Sequence, residues 1–137
     1  MMRLRSYRGC GYINTEERKI DTNNNKTVPK PWGHETWWAQ TEKYVGKILY
    51  IKKGHSLSYQ YHEIKDETIY LFRGIMVLEI EEVGKKKRDL ELFPGDSIRI
   101  TPFTKHRMKA IEDCEVFEVS TPEVEDVVRL EDQYGRV

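Results

Sequence analysis

Cysteine is nearly absent: the chain has two, Cys10 and Cys114, far apart and in no metal or redox spacing. That excludes a disulfide-stapled scaffold and makes a reduced, cytoplasmic setting the expectation. Long apolar runs are missing too. Nothing approaches the ~18 residues of a transmembrane helix. The basic segment Met1–Tyr12 lacks the apolar stretch of a signal peptide, so no membrane partner is expected. An excess of either charge sign is also lacking. Lys+Arg and Asp+Glu both number 23, which gives no basic face for nucleic acid. At 137 residues the chain is long enough for one core and too short for two.

From Tyr44 onward no amphipathic helical pattern appears. The chain reads as short strands: 45–52, 57–62, 67–73, 75–82, 89–92, 97–101, 106–110 and 115–120. Turn signals separate them, among them Lys53-Gly54, Gly74, the run 84–87 and Pro94-Gly95-Asp96. Such a series predicts an all-β sandwich, jelly roll or barrel. Leu78, Ile80, Val116 and Val119 are candidate core positions. Residues 1–27 differ, with scattered arginines and the polar run Asn23-Asn24-Asn25; they are expected to form an arm, flexible or exchanged with a second subunit. The barrel then occupies 28–137. Its tail, 124–137, carries Val127, Val128 and Leu130 among acids and is read as a short outer helix.

Strand alternation from Leu57 puts Ser58, Gln60 and His62 on one face. Glu67 opens the next strand, and Gly74 closes the hairpin. His106 starts a later strand and reaches the same patch if the sheet rolls into a barrel. Two imidazoles and two oxygens suit a divalent transition metal and leave coordination positions open. Taken singly, His62 reads as a core histidine and Glu67 as a solvated strand charge. Four ligand types at one joint spacing favour a site.

These residues resemble the cupin superfamily, whose fold is a double-stranded β-helix, or jelly-roll barrel. Its first motif, G-x5-H-x-H-x4-E-x6-G, is matched at every spacing by Gly54, Gln60, His62, Glu67 and Gly74, with Gln60 in the first histidine place. Its second, G-x5-P-x-G-x2-H-x3-N, is met by Gly95 and His106, while Thr101, Phe103 and Ala110 replace Pro, Gly and Asn. Phe103 is expected to narrow or reshape the pocket mouth. Lys30-Pro31-Trp32-Gly33, the run Leu57–His62 and the segment 126–136 are similar to the C-terminal cupin of type II mannose-6-phosphate isomerases. That resemblance implies a Gln60/His62/Glu67/His106 set holding a divalent ion, zinc first, with manganese, iron, cobalt or nickel as alternatives. It also implies a sugar or sugar-phosphate partner and an aldose–ketose isomerase activity.

Two other readings stay open: an Fe(II)-dependent cupin dioxygenase of a small organic substrate, and a sugar-binding cupin without catalysis. Ser58, Arg99 and Arg107 are candidate substrate contacts. Alternation sends Arg107 to the face opposite His106, so a surface arginine is an equal reading, and Arg99 is as ambiguous. Lys52, Lys53 and Lys65 read as plain surface charge. No residue is assigned as catalytic base. Tyr70 and Phe72 alternate with Ile69 and Leu71, so one pair must face outward, and a homodimer is expected.

Overall fold

The computed structural model describes residues 25–137, and all structural statements refer to these; most of the expected arm therefore lies outside the described residues. The chain forms β1 (Lys26–Lys30), β2 (Gly33–Gln40), β3 (Val45–Ile51), β4 (Tyr59–Tyr61), β5 (Glu67–Arg73) and β6 (Met76–Glu81). It continues through β7 (Arg88–Leu92), β8 (Ser97–Ile100), β9 (Lys105–Ala110), β10 (Cys114–Ser120) and β11 (Val128–Glu131). No helix occurs among the described residues, and none is therefore long and apolar enough to cross a membrane.

One sheet has the order β11-β4-β9-β6-β7 and the other β1-β2-β3-β10-β5-β8, with antiparallel pairing throughout. From β3 onward successive strands cross between the sheets, apart from the β6–β7 pair, which is the jelly-roll arrangement that the strand series predicts. The strand bounds agree with those read from turn signals, apart from a shorter β4. Three strands went unread: β1 and β2 ahead of Tyr44, and β11 in the tail. β1 begins at Lys26, inside the expected arm, and carries Pro29; as an edge strand it tolerates a residue with no N–H. It pairs with β2 through a turn at Pro31-Trp32.

The tail is a correction. Residues 128–131 form strand β11 against β4, with Val128 opposite Tyr61 and Arg129 opposite Gln60. β4 has a free edge on that side, and pairing it satisfies backbone groups that a helix would leave open. Val119 is a second correction. It is 49% exposed, because the inward parity of β10 belongs to Cys114, Val116, Glu118 and Ser120.

The interior divides along the strands. One half is apolar, built from Leu49, Ile51, Leu71, Met76, Leu78 and Val116. The inward rows of the same strands then become polar, with Lys47 in β3, Glu67 in β5, His106 in β9 and Glu118 in β10 all buried. Burying about twelve large side chains in the apolar half, at ~1.5–3 kcal/mol each, supplies the driving force that the polar half cannot. Gly74, which ends β5, shows why the motif closes on glycine. Its φ is +100°, and a Cβ there would sit 2.3 Å from the Asp113 carbonyl oxygen.

Candidate metal centre

Ser58, Gln60 and His62 share the inward face of the segment around β4, and Glu67 opens β5 beyond a four-residue turn. That turn is clasped by Asp126, whose carboxylate accepts the backbone N–H of Glu63, Ile64 and Lys65 at 2.7–3.1 Å. Burial acts to raise the Asp126 carboxyl, but these three donors outweigh it and hold it below the usual carboxylate range. The x4 spacing of the motif is thus the length of one clasped turn. His106 arrives from β9, where it lies opposite Gln60 on one side and Ile80 on the other.

The Nε2 atoms of His62 and His106 lie 3.0 and 3.1 Å from one oxygen, Oε2 of Glu67. All three side chains are buried. Each imidazole is fixed from behind: His62 Nδ1 donates to the Asp126 carbonyl at 2.6 Å and His106 Nδ1 to the Thr104 carbonyl at 2.9 Å. A carbonyl oxygen only accepts, so each Nδ1 carries a proton and each Nε2 is turned toward Glu67. His106 Nε2, although close to Glu67, has no hydrogen-bond partner. A buried nitrogen left open beside a carboxylate oxygen and a second imidazole is a donor set that calls for a cation. These residues fit a divalent ion, and the His62, Glu67 and His106 ligand atoms all lie within 4.8 Å of one another. Gln60 faces the same cavity, its Oε1 accepting the Ser58 hydroxyl at 2.5 Å. Glu67 is held ionised: burial pushes its carboxyl up, but the His106 and His62 nitrogens and the Lys65 ammonium together outweigh that.

Of the four expected ligands, His62, Glu67 and His106 are brought together, while Gln60 lines the adjoining cavity with Ser58 beside it. Arg99 and Arg107 are not brought there. Arg99 lies on the outer face, paired with Asp66 at 2.6 Å. Arg107 is held outside by Glu79 at 2.8 Å and Glu131 at 3.3 Å. The cavity charges come from elsewhere: Lys30, Glu35, Lys47, Lys65, Glu118, Arg129 and Arg136. Lys65 is a correction, since it is buried rather than surface charge, bridging Glu118 at 3.1 Å and Glu67 at 3.4 Å. Inward parity with Val116 was the available signal for Glu118. Phe103 does not narrow this cavity. It is half exposed and stacks on Tyr61 with ring centroids 6.0 Å apart. Its φ of +65° lies in the left-handed region that favours glycine, the residue of the motif at this position. Cys114 is buried, and burial pushes its thiol up to about 11, consistent with no nucleophilic role.

A jelly-roll barrel with two histidines and a carboxylate converging on its inner wall defines a cupin. The family described as "Mannose-6-phosphate isomerase C-terminal" matches residues 16–132, and the chain belongs to it. No curated protein sequence matches the chain. Among solved structures, KdgF from Halomonas sp. is similar at 25% identity with a TM-score of 0.62, covering 82% of this chain and 92% of that one. CapF of Staphylococcus aureus, a capsular polysaccharide assembling protein, gives 15% identity and a TM-score of 0.65, over 78% of this chain and 34% of its own. Oxalate decarboxylase of Bacillus subtilis gives 13% and 0.69, over 81% and 31%. The last two likenesses concern the fold alone.

Proposed function

We propose that the chain is a metal-dependent aldose–ketose isomerase acting on a sugar or sugar phosphate. The observation that carries this reading is the convergence of His62, His106 and Glu67 on the wall of a polar cavity, in a chain of this family. A divalent ion held there, zinc first, supplies Lewis-acid polarisation of a carbonyl or its neighbouring hydroxyl. Gln60, steadied by Ser58, offers a further oxygen to the same site.

The chain's own residues supply the proton handling. Aldose–ketose exchange takes a proton from C2 and returns one to C1, while a hydroxyl proton passes to the former carbonyl oxygen. Glu67 is committed to the ion. Of the two remaining carboxyls in the cavity wall, Glu118 is buried more deeply than Glu35, and we assign to it the transfer between the two carbons. Lys65 positions it through the 3.1 Å contact with Oε2. The apolar half of the barrel closes the cavity floor to water. We also take the protein to be a cytoplasmic homodimer. Its outer face carries Tyr70, Phe72 and Phe117, stacked with centroids 5.0–6.1 Å apart, the first two of them more than 40% exposed.

The test is deuterium exchange. Protein with its metal quantified is incubated in D2O with a panel of free and phosphorylated aldoses. Incorporation at C2 of the recovered aldose is expected for at least one sugar. No exchange across the panel, with metal confirmed, overturns the reading. Iron-only, oxygen-dependent turnover would replace it with a dioxygenase, and saturable sugar binding without exchange with a binding module.

A further inference from the structure

Two connections cross between the sheets side by side. β10 ends with Ser120 opposite Glu67 of β5, and β11 begins with Val128 opposite Tyr61 of β4. The register therefore lays the connection 121–127 against residues 62–66, the turn that carries His62 into Glu67. Neither stretch belongs to a strand ladder, so their backbone groups need partners elsewhere. They find them in each other. The N–H groups of Glu63, Ile64 and Lys65 donate to the Asp126 carboxylate at 2.7–3.1 Å. The next one, of Asp66, donates to Thr121 Oγ1 at 3.1 Å, and the Thr121 N–H donates back to the Asp66 carbonyl at 3.0 Å. Four consecutive donors of the metal-ligand turn thus end on one distant segment.

The same segment reaches a ligand directly. The Asp126 carbonyl accepts His62 Nδ1 at 2.6 Å, which fixes the ring plane and hence the direction of Nε2. One residue therefore holds the His62 ring from behind with its carbonyl and the main chain that follows it with its carboxylate. His106 is fixed locally instead, by the carbonyl of Thr104 two residues earlier. Val124 and Val127 of the same connection line the cavity.

We infer that Asp126 is a positioning residue of the metal centre, so that seating of the connection 121–127 and loading of the ion are one coupled event. This rests on the metal-centre reading and not on the isomerase activity. Coupling of this kind is reciprocal: the factor by which the seated connection raises metal affinity is the factor by which a bound ion keeps it seated. The cavity wall formed by Val124 and Val127 is then held in place most firmly in the loaded protein.

The test measures zinc affinity rather than turnover. A chromophoric chelator competes for zinc with the wild type, Asp126→Ala and Asp126→Asn, and urea unfolding is followed on the three metal-free proteins. Asp126→Ala deletes the clasp but leaves the main-chain carbonyl, so a loss of zinc affinity reports the position of the segment. That loss should be about tenfold to a hundredfold, the range of a group that orients a ligand. Asp126→Asn keeps one accepting oxygen and should recover part of it. Lower metal-free stability with unchanged zinc affinity makes Asp126 merely structural and overturns the inference. If Asp126→Ala fails to fold, amide hydrogen exchange of the wild type decides. Saturating zinc should slow Ile64, Lys65 and Asp66 by about tenfold or more. Lys85, whose N–H donates to the Glu82 carbonyl in the remote β6–β7 turn, should keep its rate. No slowing in the 63–66 turn, or equal slowing at Lys85, overturns the inference. A wild type that binds no zinc overturns it together with the metal centre. Zinc affinity that falls in Asp126→Ala, with no deuterium exchange on any sugar, upholds it and removes only the isomerase.

Discussion

Lys65 Nζ lies 3.1 Å from Glu118 Oε2 in the cavity wall, and both side chains are shut off from water. Burial acts to lower the ammonium, but the charges of Glu118 and Glu67 outweigh it and raise Lys65 above its usual value. That stabilisation is fully present below the unfolded lysine value of ~10.4 and is lost as pH rises through the higher folded one. Glu118 behaves differently. Burial and then the charge of Glu67 push its carboxyl up, against Lys65 and Lys47. The folded state therefore holds its proton longer, and stability falls as pH rises from ~4.3 through the folded value. Lys65→Met should destabilise by about 3–5 kcal/mol in urea unfolding at pH 7, because it strands two carboxylates. Lys65→Met with Glu118→Leu should lose less. A single-variant loss under about 1 kcal/mol would contradict the buried pairing.

His106→Ala removes the ligand whose Nε2 is otherwise unpartnered. Purified variant should carry far less than the one ion per chain expected of the wild type, measured by elemental analysis, with the far-ultraviolet dichroism of the barrel retained. Zinc at 100 times its dissociation constant should stabilise the wild type by about 2.7 kcal/mol and the variant by much less. Equal metal content in both proteins would remove His106 from the site.

Glu79, on the outer face, is met by Lys87 at 2.8 Å, Arg107 at 2.8 Å and Lys109 at 3.3 Å. Burial acts to raise its carboxyl, but the hydrogen bonds from Arg107, Lys87 and Lys109 bring it down to about 2. A depressed folded value means stability that is present above ~4.3 and lost as pH falls toward 2. After solvent screening of the half-exposed lysines, roughly 1–2 kcal/mol is at stake. Glu79→Gln should flatten the fall of unfolding free energy between pH 5 and pH 2 by that amount. An unchanged acid limb would show that the cluster contributes nothing.

Phe103 holds φ +65° in a loop whose N–H donates to the His62 carbonyl at 2.7 Å. Left-handed backbone costs a non-glycine residue ~1–2 kcal/mol. Phe103→Gly and Phe103→Ala both lose the stack on Tyr61, but only Ala keeps the strain. Gly should therefore be the more stable of the two by about 1 kcal/mol, read from urea midpoints. The opposite order would mean that the loop relaxes on substitution.

With its aromatic outer face, the wild type should run as a dimer in sedimentation velocity at micromolar concentration. Phe72→Asp, placed among the stacked rings, should shift it to monomer without altering metal content. A wild-type monomer would end this assignment.

What could be read from the sequence depended on how local the signal was. Gly54, Gln60, His62, Glu67 and Gly74 lie within one short run of chain, so their spacing carries both turn and ligand geometry, although β4 and β5 fall in different sheets and do not form the hairpin expected from the sequence. Ile69 and Leu71 against Tyr70 and Phe72 showed inside and outside by simple alternation. Glu118 and Lys47 did not, because a charge within a strand reads as outward until its buried partner is known; their partners are Lys65, in the turn before β5, and Glu35, in β2. Arg129 was hidden for a different reason. Its direction depends on β11 pairing with β4, nearly seventy residues earlier, and nothing local announces a pairing that distant. Val127, Val128 and Leu130 suggested a helix because their spacing fits one turn as well as it fits an edge strand.

The division of the barrel interior has a consequence for inheritance. The apolar half, with Leu49, Leu71, Leu78 and Val116, folds the chain without reference to what the other half contains. Substitutions at positions such as Gln60, outside the Lys65–Glu118 pair, can therefore accumulate without jeopardising the scaffold that presents them. A lineage built this way can exchange one reaction for another while its descendants go on folding.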